Sequence, residues 1–218
     1  MTKSNDELDP GKENYPLKAL QYIDERRQMK KIAKAMWDRK LTNAAGGNFA
    51  VRVADNRILI SPSMMSEFGM CDLGVEEFLL IDYQGNVLEG SGRLSRETEM
   101  HILLLSRFNY IKCSIHAHPQ FCMVFASQSK PIKTVTEATV KRGEYFGVIE
   151  QAAAYSKQLA ENVYKYFDER RDLAEKIGIG CIVPMHGVVV SGDCLMSAFS
   201  CLERMETDAI CNIFKNFI

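Results

Sequence analysis

Two histidines separated by one residue, His116 and His118, follow an apolar run from Tyr110 to Ile115. On a β-strand, side chains at i and i+2 share a face, so both imidazoles can reach one metal ion through a single ring nitrogen each. Pro119 then closes the strand, because it has no N–H to give to a ladder. A His-x-His pair alone also fits a polar strand end with no ligand. His186 stands before Gly187, and a glycine beside a ligand lets backbone come close to a metal or a substrate. Glu97 opens a stretch that leads into the His-x-His strand, so a short connection can bring its carboxylate back to the same end of a sheet. Gly46-Gly47-Asn48 sets a glycine pair before a strand, where backbone N–H groups can face an anion. The same pair also suits an ordinary hairpin.

The elements that must position these residues are readable from hydrophobic periodicity. Leu17 to Leu41 carries apolar residues at helical spacing and stops at Asn43 to Asn48. Phe49–Val53 and Arg57–Ser61 form a hairpin around Ala54-Asp55-Asn56, and Phe78–Asp82 with Val87-Leu88 forms a second. Glu97 to Phe108 is an amphipathic helix, followed by the His-x-His strand. Pro119 to Ser127 reads as a short helix, Ile132–Val135 and Phe146–Ile149 as strands, and Tyr155 to Tyr166 as a helix. The charge run Asp168 to Asp172 reads as a solvated helix start. Gly180 to His186 is strand-like and Gly187 to Gly192 continues it; Ala198 to Phe217 is a last helix. The expected architecture is one α/β domain over residues 17–218, with a central mixed or mostly antiparallel sheet flanked by helices, after a loose polar arm over residues 1–16.

Composition narrows the function classes. The chain has 218 residues, 46% hydrophobic and 25% charged, in the range of a single globular domain. Its net charge of -1 supplies no basic field for nucleic acid or anionic lipid, and no apolar run is long enough to span a bilayer. The N-terminal residues lack the apolar core of a signal peptide. Seven cysteines are scattered with no Cys-x-x-Cys pair, which suits reduced thiols and a cytoplasmic location.

Taken in order, Gly47-Asn48, Ser61-Pro62-Ser63, Ser95-Arg96-Glu97 with His101, His116-Ala117-His118 and His186-Gly187 resemble the class II aldolase/adducin family, from about Asn43 to Ala198. That family includes sugar-phosphate aldolases and an epimerase. The resemblance implies that His116, His118 and His186 are ligands of a catalytic zinc ion with an open position. It implies that Glu97 is the carboxylate that binds the metal at rest and serves as acid/base with substrate present. His101 matches a further family position and is expected to support the site without binding the metal. A retro-aldol cleavage of a small ketose phosphate would follow, the enediolate being stabilised by the metal as Lewis acid. The phosphate would rest on Gly47, Asn48, Ser63 and Ser95. Family members of this type are homotetramers with active sites between subunits, acting on small molecules.

Several positions depart from the family pattern. Arg96 replaces a serine and could fork onto a phosphate or a carboxylate, face solvent or pair with a neighbouring subunit. Met64 stands where a glycine is common. Glu137 falls near the place of a tyrosine acid supplied by a neighbouring subunit, so it is expected as proton donor or as a surface glutamate. A decarboxylase of oxo-acids, a dehydratase and an epimerase share the same metal chemistry; epimerases carry aspartate at the Glu97 position. A non-catalytic binding module like the adducin head would be marked by loss of the histidines, and this sequence keeps all three.

Overall fold

The computed structural model of the protein describes residues 20–217. The arm expected over residues 1–16, and the first residues of the helix expected from Leu17, lie outside them. Helix α1 (Ile23–Asp38) buries Met29, Ile32, Ala33 and Met36, the helically spaced stripe that the sequence carries. Strands β1 (Asn48–Ala54) and β2 (Arg57–Ile60) form the first expected hairpin, and β3 (Leu79–Ile81) and β4 (Val87–Glu89) the second. Helix α2 (Thr98–Arg107) leads to β5 (Cys113–Ala117), the His-x-His strand, and then to α3 (Cys122–Ser127). β6 (Ile132–Lys133), α4 (Glu137–Val140) and β7 (Tyr145–Phe146) make a small excursion in which β6 and β7 pair as a separate two-stranded sheet. Helices α5 (Lys157–Asp168) and α6 (Arg171–Ala174), strands β8 (Gly180–Val183) and β9 (Gly187–Gly192) and helix α7 (Leu195–Phe214) complete the chain.

The main sheet has seven strands in the order β4-β3-β2-β1-β5-β9-β8. Every neighbouring pair in it is antiparallel. Period-two alternation sorts its side chains onto two apolar layers. Phe49, Leu59, Ile115, Val188 and Val190 face the layer with α1 and α7. Ala50, Ile58, Ile60 and Val189 face the layer with α2 and α5. Asn48 pairs with His116 in register, so both point to the α2 side, where Ser114 also points.

The 180–192 region differs from the sequence expectation of one continuing strand. Val183 pairs with Gly187 and the chain reverses between them. Pro184 sits second in the turn, Met185 third with φ 57, and the His186 N–H donates to the Val183 carbonyl at 3.1 Å. That is the pattern of a type II turn. The two apolar runs are continuous in sequence, and only the pairing of β8 with β9 shows them as a hairpin. The last helix also begins earlier than expected, at Leu195, and ends at Phe214 in a single 3-10 turn over Lys215–Phe217.

Candidate metal and substrate site

Chain geometry brings the four candidate ligands to one end of the sheet's central strands. Helix α2 is ten residues long, or about 15 Å at 1.5 Å per residue. The five residues of β5 span nearly the same length in the opposite sense. The start of α2 therefore lies beside the end of β5, and Glu97, at the N-cap position of α2, meets His116 and His118. β9 returns alongside β5, and the turn before it delivers His186 to the same place.

A ring nitrogen from each of His116, His118 and His186 lies within 4.8 Å of the others. Nε2 of His116 is 3.1 Å from Nε2 of His118. The Glu97 carboxylate oxygens lie 3.5 Å from Nε2 of His116 and 3.7 Å from Nε2 of His186. The hydrogen bonds on the far side of the rings fix two of the tautomers. Nδ1 of His116 is 3.0 Å from the Val188 carbonyl, which can only accept, so Nδ1 carries the proton. Nδ1 of His118 is 3.3 Å from Oδ1 of Asn43, an oxygen already accepting from the Ala45 N–H at 2.9 Å. Nε2 of each ring thus turns a lone pair inward. Two lone pairs 3.1 Å apart, beside a carboxylate, repel unless a cation lies between them. Burial lowers the pKa of both rings to about 3, so protons do not supply that cation near neutral pH. Oε1 of Glu97 is buried and has no hydrogen-bond partner. Three imidazoles and one carboxylate oxygen are the donor set of a borderline divalent metal such as zinc.

A directional chain of hydrogen bonds stands behind Glu97. Nδ2 of Asn48 donates to Oε2 of Glu97 at 2.7 Å. The Asn48 Oδ1 must then accept from Nε2–H of His101, 2.6 Å away. Nδ1 of His101 is left to accept the Ser114 hydroxyl, also at 2.6 Å. His101 is fully buried, and burial takes its pKa to about 3, so it stays neutral and keeps this tautomer. Among the described residues its hydrogen bonds go to Asn48 and Ser114 and to none of the candidate ligands.

Glycines permit the close packing. A Cβ on Gly187 would come within 2.5 Å of the Ala117 carbonyl and 2.6 Å of the His118 ring. A Cβ on Gly46 would stand 2.7 Å from Cε1 of His118. Gly47 holds φ +119, where a side chain is strained.

Beside these ligands opens a pocket lined by Gly47, Asn48, Ser63, Ser95, Arg96, Glu97, His116 and His186 among others. All five residues expected to bind substrate are there. The Ser95 Oγ accepts from the Glu97 N–H at 3.3 Å, leaving its own O–H free for a ligand. Arg96 lies with its guanidinium carbon 3.6 Å from the centre of the Tyr155 ring. Glu137 is exposed on α4 and is not among the lining residues of this pocket.

Sequence reasoning missed Tyr155, Asn43 and Ser114. Tyr155 lines the pocket and stands edge-on to His186, ring centres 6.1 Å apart. Its φ of 64 is left-handed, as are those of Met64 at 62 and Met185 at 57. Each such conformation costs on the order of 1–3 kcal/mol and tends to collect at functional sites. Met64 thus occupies a backbone position that favours glycine, which is a physical reason for a glycine there; nothing in the structure explains the methionine.

Known proteins resemble this chain in sequence and fold. Residues 27–213 match the family described as Class II Aldolase and Adducin N-terminal domain. An L-fuculose phosphate aldolase of Methanococcus maripaludis is 29% identical over 189 residues, covering 85% of this chain and 94% of its own. A 3-oxo-tetronate 4-phosphate decarboxylase of Haemophilus influenzae is 27% identical over 186 residues, 83% of each chain. A solved L-fuculose 1-phosphate aldolase superposes with a TM-score of 0.75 at 28% identity, covering 89% of this chain and 87% of that one. The chain belongs to the class II aldolase and adducin N-terminal domain family.

Proposed function

We propose that this protein is a zinc-dependent aldolase that cleaves a small ketose phosphate. The observation that carries this reading is the convergence of two fixed imidazole lone pairs, a third imidazole and a partnerless carboxylate oxygen on one point beside a polar pocket. His116, His118 and His186 would hold the zinc, with Glu97 as the fourth donor at rest. When bound, the metal supplies Lewis-acid stabilisation of the charge that builds on the substrate carbonyl oxygen during carbon–carbon cleavage.

The residues of the chain do the rest. Glu97 carries a proton to and from the substrate carbon next to the carbonyl, a task that needs a carboxylate within hydrogen-bond reach. Asn48 holds one oxygen of that carboxylate, and His101 and Ser114 hold Asn48. Gly47, Ser63 and Ser95 receive the phosphate beside Asn48, and Arg96 supplies positive charge at the same pocket. Glu137 of a neighbouring subunit takes up the hydroxyl proton as the aldehyde fragment forms and donates it in the reverse, condensing direction, in a cytoplasmic homotetramer; the exposed Phe214 and Phe217 suit a subunit contact. Retro-aldol assay of zinc-loaded protein on a panel of ketose 1-phosphates tests the reading. Cleavage of a panel member supports it. Full zinc occupancy without cleavage of any contradicts it.

One observation favours a second reading, decarboxylation of a phosphorylated oxo-acid. The Arg96 guanidinium is stacked on its face and makes no ion pair or hydrogen bond among the described residues. A planar fork with free edges suits a carboxylate. Release of carbon dioxide from such an acid, with no cleavage of ketose phosphates, would select this alternative.

A further inference from the structure

We infer that Tyr155 is a specificity-determining residue that positions Arg96 to receive an oxyanion of the substrate. The inference rests on the proposed pocket being where substrate binds, and not on which bond is then broken.

Arg96 is the one lysine or arginine among the residues that line the pocket. Its backbone is held between two buried neighbours, Ser95 and Glu97, whose own contacts fix the start of α2. Its side chain is exposed, and such a chain normally samples many rotamers. Here the guanidinium lies 3.6 Å over the Tyr155 ring. A cation over an aromatic face is held by the ring quadrupole, which leaves the edge N–H donors free. No acidic side chain takes those donors among the described residues. The fork is thus restrained on its face and open along its edges, beside Ser63 and the free hydroxyl of Ser95.

Tyr155 is held there at a cost. It stands just before Ser156, which caps α5 by accepting from the Leu159 N–H at 3.1 Å. The Ser156 N–H closes the preceding turn onto the Ala153 carbonyl at 3.2 Å. The chain enters α5 through a left-handed residue, φ 64, where glycine would sit without strain. A large aromatic at such a position calls for a role that its ring performs. The ring meets two groups of the site, Arg96 on its face and His186 at its edge.

The test is calorimetric binding of inorganic phosphate and of 2-phosphoglycolate to zinc-loaded protein, with zinc content and melting temperature measured alongside. Tyr155→Gly removes the ring and relieves the left-handed strain, so the variant is expected to melt no lower than the parent. It is expected to weaken anion binding about three- to tenfold, with zinc content unchanged. A loss for both probes places phosphate on the fork; a loss for 2-phosphoglycolate alone places a carboxylate there; either supports the inference. Tyr155→Phe keeps the face and is expected to restore the affinity. In an Arg96→Met background, Tyr155→Gly is expected to cost nothing further, the signature of two residues acting as one. Unchanged affinity for both probes in Tyr155→Gly overturns the inference. So does an equal loss with Arg96 absent, which would assign the ring an independent contact. Loss of zinc in Tyr155→Gly would assign the ring to His186 instead, and a loss in Tyr155→Phe would assign the effect to the hydroxyl. None of these results depends on turnover, so failure of the aldolase reading remains separately visible.

Discussion

The floor and the rim of the pocket are built on opposite principles. On the floor, His116, His118, Glu97, Asn48 and His101 are buried and are held from behind by hydrogen bonds, with the two Nε2 lone pairs and Oε1 of Glu97 turned towards the site. They sit on, or beside, strands β1 and β5 in the middle of the sheet, where neighbours on both sides fix each backbone. On the rim, Met64, Arg96 and Tyr155 are exposed. Two of the three hold left-handed backbone, and the third has a charge without a counter-ion among the described residues. The floor has the order that reaction chemistry needs, since a small misplacement of a ligand or a base is costly. The rim has the latitude that choice of substrate needs, since loops change without disturbing the sheet.

Substitutions can break this comparison in order of expected size. Glu97→Gln keeps the shape of the floor and removes its proton carrier; turnover is expected to fall about 100- to 10,000-fold with the fold intact. Unchanged kcat would remove Glu97 from the chemistry. His101→Leu leaves every ligand in place but cuts the hydrogen-bond chain to Asn48, with metal affinity or kcat expected to drop about 10- to 100-fold. An effect on KM alone would mean that the chain does not orient Glu97. Arg96→Ser changes the rim only. It is expected to raise KM for an anionic substrate several-fold with kcat little altered, and a fall in kcat with constant KM would move Arg96 from recognition to chemistry.

A smaller effect should appear in the pH dependence of stability. His101, His116 and His118 have folded pKa values lowered to about 3 by burial, against 6.5 for an ordinary imidazole. Between those values the unfolded chain binds more protons than the folded one, so stability rises with pH across that window. Their contribution is complete above about pH 6.5 and is lost as pH falls towards 3. Metal-free protein is expected to melt a few degrees lower at pH 5 than at pH 7.5. A flat profile would mean that the floor accepts protons while folded.

The floor could largely be read in advance because its residues announce themselves by type and by period. A His-x-His pair at strand spacing fixes one face, and apolar alternation fixes which strands surround it. His101 was placed as a supporting residue by motif, although its partners Asn48 and Ser114 lie 53 and 13 residues away in sequence. Ser114 itself went unnoticed, because a serine in a strand has no signature until the facing helix is known. The 180–192 hairpin was read as one strand because two apolar runs flank a single proline, and only tertiary pairing reverses them. Tyr155 was read as the first residue of a helix. Nothing in its type signals positive φ, and the following Ser156, the N-cap, was the only local sign that the helix starts two residues later. The rim was obscure for the same reason that it is adaptable: its conformations are imposed by the fold around it and not by local preference.

The central claim is that three imidazoles and Glu97 hold one metal ion. The most direct measurement is zinc bound per chain after reconstitution and removal of excess metal, for the parent and for His116→Ala. About one zinc per chain in the parent and much less in the variant is expected, because two imidazoles and Glu97 are one protein donor short of the parent's set. Stoichiometric zinc in both would contradict the claim and place the metal elsewhere in the molecule.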